Sequence, residues 1–288
     1  MVDIEESADR VAVIGTGAIG GAVVRRLRAA GRDVTVWNRR SSRTAEMVEL
    51  GAVPAASLGE ATSASALILL TVTDHAAVRQ CLDSVGEDLS GRTVVAMCTG
   101  TPGDARSTAT RVAGLGGQYL DAGLQASPDM IGAGAATILY SGSPTAFEQH
   151  RATLGLVGAA RFVGETPDAA AVWDLALFGV WYDAQLGLLR ALDVVREAGI
   201  DVVEFSDTAT SQLGHVVAGV PATVSELRGA TYPPGPANLV EHHTVLRQIL
   251  ELRAGLRLGD GGLPEVVARI EALIAAGRHG EGLTATIG

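Results

Sequence analysis

At 288 residues, 47% hydrophobic, 19% charged and 4% aromatic, the chain has the composition of a well-packed globular protein large enough for two domains. Its net charge of −10 argues against nucleic acid as a partner, because phosphate backbones demand clustered cations. All 22 basic residues are arginine, which excludes a Schiff-base mechanism and any lysine acid or base.

The chain opens on MVDIEESADR, an acidic stretch without the apolar segment of a secretory signal. No apolar run reaches the roughly 18 residues that a membrane span needs, and Cys81 and Cys98 alone make no disulfide framework. These features predict a cytoplasmic protein without a membrane partner. VAVIG then reads as a buried parallel strand. Gly15, Gly17 and Gly20 follow as G-x-G-x-x-G, with Ala18 and Ile19 opening a helix that runs to Ala30 and is stopped by Gly31. DVTVW is the next strand. In such a unit the first glycine permits the tight turn and the second lets backbone approach a pyrophosphate at the helix N-terminus. The third allows close packing of helix on strand.

An NAD site carries an acidic residue at the end of the second strand, to bind the ribose 2′-hydroxyl. This chain has Asn38, Arg39 and Arg40 there, followed by Ser41, Ser42 and Arg43. Guanidinium groups and hydroxyls favour a 2′-phosphate, so the expected cofactor is NADPH. SALILLTVTD (Ser65 to Asp74) and RTVVAMCTGTP (Arg92 to Pro102) are further strands ending in polar loops. Loops at strand carboxyl ends line the ligand crevice of doubly wound sheets. This makes Thr71, Val72, Thr73, Cys98, Thr99 and Thr101 candidate neighbours of the nicotinamide ribose. Gln118 to Gly142 adds two strands around a glycine-rich loop, and RFVG (Arg161 to Gly164) closes the sheet.

After Pro167 the pattern turns helical. A helix from Ala169 to Ala198 would be about 45 Å long. Helical segments follow at Val202–Val217, Thr223–Gly229, Asn238–Arg257 and Leu263–Ala276, interrupted by ATYPPGPAN. The predicted fold is α/β: a Rossmann-type doubly wound domain (residues 1–166), a long interdomain helix (167–199) and an all-helical substrate and dimerisation domain (200–288). The helical half is apolar enough to be buried against another subunit.

AVWDLALFGVWYDAQLGLLRAL, within the long helix, holds two aspartates in an otherwise apolar run. At about 100° per residue, Asp174, Phe178, Trp181 and Gln185 share a face, with Tyr182 at its edge, while Asp183 points the opposite way. Asp183 reads as a solvated residue. Asp174 sits on the aromatic face, where desolvation would raise its pKa and let it donate a proton near neutral pH.

The layout resembles the β-hydroxyacid and phosphogluconate dehydrogenase superfamily, and within it the imine reductases and reductive aminases, over essentially the whole chain. The matching stretches are VIGTGAIGGAVVRRLRAAGRDVTVWNRR, CTGTPGDAR, YLDAGLQASPDMIG with ILYSG, VWDLALFG and AAGRHGEGLTATI. Hydroxyacid dehydrogenases carry a catalytic lysine where this chain has Asp174. The resemblance therefore implies reduction of small, cyclic imines, with Asp174 as proton donor or iminium stabiliser and Tyr182 as a substrate-orienting group. It also implies a domain-swapped homodimer. Gln125, Phe178, Trp181, His242 and His243 are candidate pocket residues, one of the two histidines lining the partner's pocket. The chemistry needs no metal: an aspartate near the nitrogen makes the carbon electrophilic, and an aromatic wall can hold the cation. His215, His242, His243 and His279 make no convincing metal set, since the adjacent pair points apart on a helix. The alternatives are a hydroxyacid or short aldehyde reductase, a reductive aminase and a non-catalytic NADPH-binding sensor. Some reductive aminases carry asparagine where this chain has Thr99, whose hydroxyl lacks an amide's paired donor and acceptor.

Overall fold

The computed structural model describes residues 10–86, 88–134 and 136–288; the start of MVDIEESADR, whose reading as no secretory signal concerns residues 1–9, lies outside them. Strands β1 (Arg10–Ile14), β2 (Asp33–Trp37), β3 (Val53–Pro54), β4 (Leu67–Leu70), β5 (Thr93–Ala96), β6 (Gln118–Gln125), β7 (Thr137–Gly142) and β8 (Ala159–Gly164) form one sheet. Its order is β3-β2-β1-β4-β5-β6-β7-β8. Every neighbouring pair is parallel except β6 and β7, which run antiparallel. The sheet order reverses between β1 and β4, which makes that crevice the ligand position of a doubly wound fold.

Helices α1 (Ala18–Ala29), α2 (Ala45–Glu49), α3 (Leu58–Ser63), α4 (His75–Ser84), α5 (Pro102–Gly114) and α6 (Pro144–Val157) cover the sheet. Because both faces are covered, β4 and β5 are apolar runs rather than alternating ones. Val11, Val13, Val36 and Leu69 pack with Val24, Leu27, Phe147 and Leu154 on one face. Ala12, Ile14, Ile68 and Leu70 point the other way, onto Val78, Leu82 and Val112. The two-residue β3 is too short to signal itself by alternation, and its Pro54 is tolerated because the strand is at the edge.

The chain divides into two units, one through Phe178 and one from Gly179 to Gly288. The helix α7 (Ala169–Glu197) begins in the first and continues into the second. Three of the expected helical segments differ. Val202–Val217 and Thr223–Gly229 are one helix, α8 (Val202–Gly229), which runs through Pro221. Proline removes a single N–H donor and crowds one carbonyl, and the long helical flanks retain their other bonds. Asp201 starts α8 by accepting from the N–H groups of Val203 and Glu204 at 2.7 and 3.1 Å. The helix α9 (Leu239–Leu252) ends before the expected Arg257, because Gly255 turns the chain with φ of 81°. Asn238 and Glu241 form a capping box at its start. α10 (Leu263–Ala275) packs on it through Leu239, Ile270 and Leu273. Among the described residues no helix is long and apolar enough to cross a membrane.

Candidate active site

β1 ends at Ile14 and the chain turns at Gly15, whose φ of 97° suits glycine and whose N–H donates to the Trp37 carbonyl at 2.9 Å. A Cβ on Gly20 would lie 1.9 Å from the Gly15 carbonyl oxygen and 2.5 Å from Thr71 Oγ1, so α1 can approach the sheet only with glycine there. Nothing lies within 4 Å of a Cβ built on Gly17, which faces open space. Gly15 and Gly17 border a groove of about 660 Å³.

Gly15, Gly17, Ala18 and Ile19 line the groove, as do Asn38, Arg39 and Arg40 at the end of β2. Thr71, Val72, Thr73, Cys98 and Thr99 form its wall at the ends of β4 and β5. Gly20 serves helix packing instead. Thr101 is also outside the groove: it caps α5 in a capping box with Asp104. Asn38 organises its own loop, donating from Nδ2 to Thr16 Oγ1 at 2.8 Å and accepting the Arg40 N–H at 3.2 Å. Arg39, Arg40 and Arg43 line the groove with no carboxylate partner among the described residues. Further lining, unanticipated from the sequence, comes from Trp37, Leu58, Ala77, Gln80, Cys81 and Ser84. The signal was the spacing of Ala77, Gln80, Cys81 and Ser84, which puts them on one face of α4.

Asp174 is 2% exposed. Gln125 Nε2 donates to its Oδ1 at 2.7 Å, and the Thr99 hydroxyl bonds it as well. Its Cβ packs so closely over β6 that a Cβ on Gly123 would lie 2.7 Å from it. Burial raises the Asp174 pKa above the usual carboxylate range, and the bonds from Gln125 and Thr99 oppose that rise. The expected direction therefore holds with a different origin, since the carboxyl is enclosed by β6 and the loop after β5. Sequence reasoning missed a second buried carboxyl, Asp121, 3% exposed in the middle of β6. It accepts a hydrogen bond from the Tyr119 hydroxyl at 2.9 Å and another from the Ala171 N–H in the first turn of α7. Burial, reinforced by the charge of Asp174, pushes Asp121 up to about 7. An aspartate within the apolar run YLDAGL was the available signal. Burial and the carboxylates of Asp121, Asp74 and Asp104 push the Cys98 thiol up to about 12, so it is no nucleophile.

The family model for the NAD binding domain of 6-phosphogluconate dehydrogenase matches residues 10–164, and that for the C-terminal domain of NADPH-dependent reductive aminase-like proteins matches residues 166–288. The chain belongs to the imine reductase and reductive aminase family. It is 29% identical to the NADPH-dependent reductive aminase of Aspergillus oryzae, over 96% of this chain and 95% of that protein. Among solved structures, an imine reductase from Aspergillus terreus superposes with a TM-score of 0.90 at 29% identity, covering 97% of this chain and 98% of that one. An imine reductase from Bacillus cereus gives a TM-score of 0.88 at 26% identity, with 96% and 97% covered.

For an imine reductase family chain, the remaining candidate residues divide between the two units. Phe178 lines the groove. Trp181 and Tyr182 belong to the second unit, are exposed in this chain, and stack edge-to-face with centroids 4.9 Å apart. Trp173 instead lies under the Arg161 guanidinium, 4.7 Å from its ring centre. Asp183 is exposed, as a solvated residue should be. His242 and His243 lie on α9, and His243 Nε2 is 2.9 Å from Glu271 Oε1 on α10. No group of three or more potential ligands is placed to hold a metal among the described residues.

Proposed function

We propose that the protein reduces the C=N bond of small imines, cyclic ones first, with NADPH as reductant, and that Asp174 is its proton donor. The groove fits the cofactor. The turn at Gly15 and the open face of Gly17 lead to the N-terminus of α1, where free N–H groups favour a pyrophosphate. Gly15, Gly17, Ala18, Ile19 and Gly20 build that turn. Arg39 and Arg40, on the loop held by Asn38, suit a 2′-phosphate, and no acidic side chain at the end of β2 opposes it. Thr71, Val72, Thr73, Cys98 and Thr99 shape the nicotinamide end, while Thr101 caps the helix that follows. When bound, the cofactor supplies the hydride.

The residues of the chain do the rest. A protonated imine is far more electrophilic at carbon than a neutral one, so the site must offer a proton or stabilise the cation. Asp174 is buried, its proton affinity is raised by that burial, and Gln125 fixes its orientation. That buried, oriented carboxyl carries the proposal. We read Phe178 and Trp181 as apolar substrate-pocket residues, Tyr182 as the substrate-orienting hydroxyl, and one of His242 and His243 as lining the partner's pocket.

We also read the protein as a cytoplasmic, domain-swapped homodimer organised as residues 1–166, 167–199 and 200–288. No residue of α8 is buried in the single chain, and Val203, Val216 and Val217 are 72%, 67% and 72% exposed. An apolar helix of that length without a membrane span needs a protein surface, and a second copy supplies one.

Replacing Asp174 by Ala should lower turnover of 2-methyl-1-pyrroline by about a hundredfold or more, as losing a general acid typically does. NADPH affinity, read by fluorescence titration, should be unchanged. Turnover within twofold of the parent would sink the assignment.

A further inference from the structure

The glycine motif leaves the residue after its first glycine free, and this chain places a hydroxyl there. Thr16 is buried between Gly15 and Gly17, which border the groove, and it does not line that groove itself. Its side chain reaches instead to the loop after β2. Oγ1 donates to the Arg43 carbonyl and accepts from Asn38 Nδ2, both at 2.8 Å, across 27 and 22 residues of sequence.

A hydroxyl has one hydrogen to give and two lone pairs to accept with. Because the hydrogen goes to Arg43, Thr16 can only accept from Asn38. That turns the Asn38 amide so that Oδ1 is left to take the Arg40 N–H at 3.2 Å. The other bonds of the loop are local, from the Arg43 N–H to the Arg40 carbonyl at 3.0 Å and from the Thr44 hydroxyl to the Ser41 carbonyl at 2.8 Å. Among the described residues, the long-range hydrogen bonds of residues 38–44 therefore all end on Thr16. One hydroxyl holds both ends of an otherwise exposed arginine loop.

Arg39, Arg40 and Arg43 line the groove. A charge carried on a mobile loop must be ordered when it binds an anion, and a loop held beforehand avoids that cost. We propose that Thr16 is a positioning residue for cofactor choice: its hydroxyl latches the arginine loop to the glycine turn and so fixes the 2′-phosphate end relative to the pyrophosphate end before NADPH binds. This rests on the reading of the arginines as the 2′-phosphate contacts. NADH has no phosphate at that end and gains little from the latch.

The test is the affinity of the full-length chain for NADPH and for NADH, by fluorescence titration, in Thr16→Val and Thr16→Ser. Valine keeps the shape and removes both bonds, whereas serine keeps the hydroxyl. Thr16→Val should weaken NADPH about tenfold, as the net loss of one or two hydrogen bonds does, and leave NADH within twofold. Thr16→Ser should match the parent on both. In turnover of 2-methyl-1-pyrroline the KM for NADPH should rise by the same factor, with kcat at saturation within twofold. Equal loss for both cofactors, or a fall in kcat, would make Thr16 a support of the turn alone and overturn the proposal. Unchanged NADPH affinity in Thr16→Val would overturn it too.

The combined variant Arg39→Ala, Arg40→Ala and Arg43→Ala separates the latch from the reading beneath it. If that variant discriminates between the cofactors as the parent does, the arginine reading fails and the proposal with it. If discrimination is lost, adding Thr16→Val should weaken NADPH by less than a further twofold, because the latch acts through those side chains. A second tenfold loss would leave the arginine reading standing and overturn the latch alone.

Hydrogen exchange reads the latch without any cofactor. The Arg40 and Arg43 amides donate within the held loop, so a peptide spanning residues 38–44 should exchange about tenfold faster in Thr16→Val and at the parental rate in Thr16→Ser. Parental exchange in Thr16→Val overturns the proposal. Where the valine variant does not fold, Thr16→Ala takes its place in both measurements.

Discussion

In the sheet, Val13, Leu69 and Val95 are wholly enclosed at 0% exposed, whereas Val203 and Val217 of α8 stand 72% exposed. The same kinds of side chain therefore have different standing in the two units. Residues through Phe178 satisfy their apolar surface within the chain, using helices on both faces of β1, β4 and β5. From Gly179 onward the enclosed apolar residues are few, chiefly Leu239, Ile270 and Leu273 of the α9–α10 pair with Ala285 against them and Val195 on α7. The first unit encloses its apolar core within the chain, and the second leaves much of its apolar surface exposed. The glycine turn, the arginine loop and Asp174 all belong to the first.

Matched truncations put the largest strain on this comparison. Leu69→Ala should lower unfolding free energy by about 2–5 kcal/mol, the range for emptying a closed core site. Val217→Ala, measured in dilute monomer, should change it by under about 0.5 kcal/mol, as exposed sites do. Similar losses from both by denaturant titration would show that α8 is already buried in one chain. A charge on the open face tests the proposed dimer directly. Val217→Asp should weaken self-association by about a hundredfold, because each copy buries an unpaired carboxylate. Sedimentation equilibrium reads that shift, and NADPH affinity of the dissociated chain tests whether the first unit stands by itself.

The arginine loop offers a finer probe confined to the first unit. Arg39→Ala combined with Arg40→Ala should weaken NADPH about tenfold to a hundredfold and leave NADH nearly untouched, since partly exposed charge-assisted bonds are worth a few kcal/mol at most. Equal loss for both cofactors would mean that the arginines only hold the loop. The smallest expected signal concerns ketone–amine coupling. Thr99 bonds Asp174 with a hydroxyl where an amide would offer both donor and acceptor. Cyclohexanone with one equivalent of a small amine should therefore turn over at no more than about a tenth of the pyrroline rate, one factor of ten being 1.4 kcal/mol. Comparable rates would show that the hydroxyl suffices.

The sheet was legible because its signals are local. Glycine spacing at Gly15, Gly17 and Gly20, and apolar runs such as LILL in β4, depend on neighbours in the chain. The start of α7 was legible in the same way. What surrounds Asp174 was not: Gln125 and Asp174 are 49 residues apart, and only the pleat of β6 says which side chains of QYLDAGLQ face the helix. Helical periodicity placed Asp174 with the aromatics that share its own helix, while the tertiary packing enclosed it with a strand. Pro221 shows the limit of local breakers, since a residue that normally ends a helix sits inside one.

The reversal of β7 has a directional consequence. Had β7 and β8 continued parallel to β6, the chain would have left β8 at the ligand end of the sheet, and the following helix would have descended from it. Because β7 runs back, β8 finishes at the far end and α7 ascends alongside β6. Its rungs can be followed in register: Ala170 at Ser141, Ala171 at Asp121, then Asp174 at Gly123 and Gln125. One inverted strand thereby turns the long helix into a rising post that carries its first carboxylate up to the ligand end of β6, against Gly123 and Gln125.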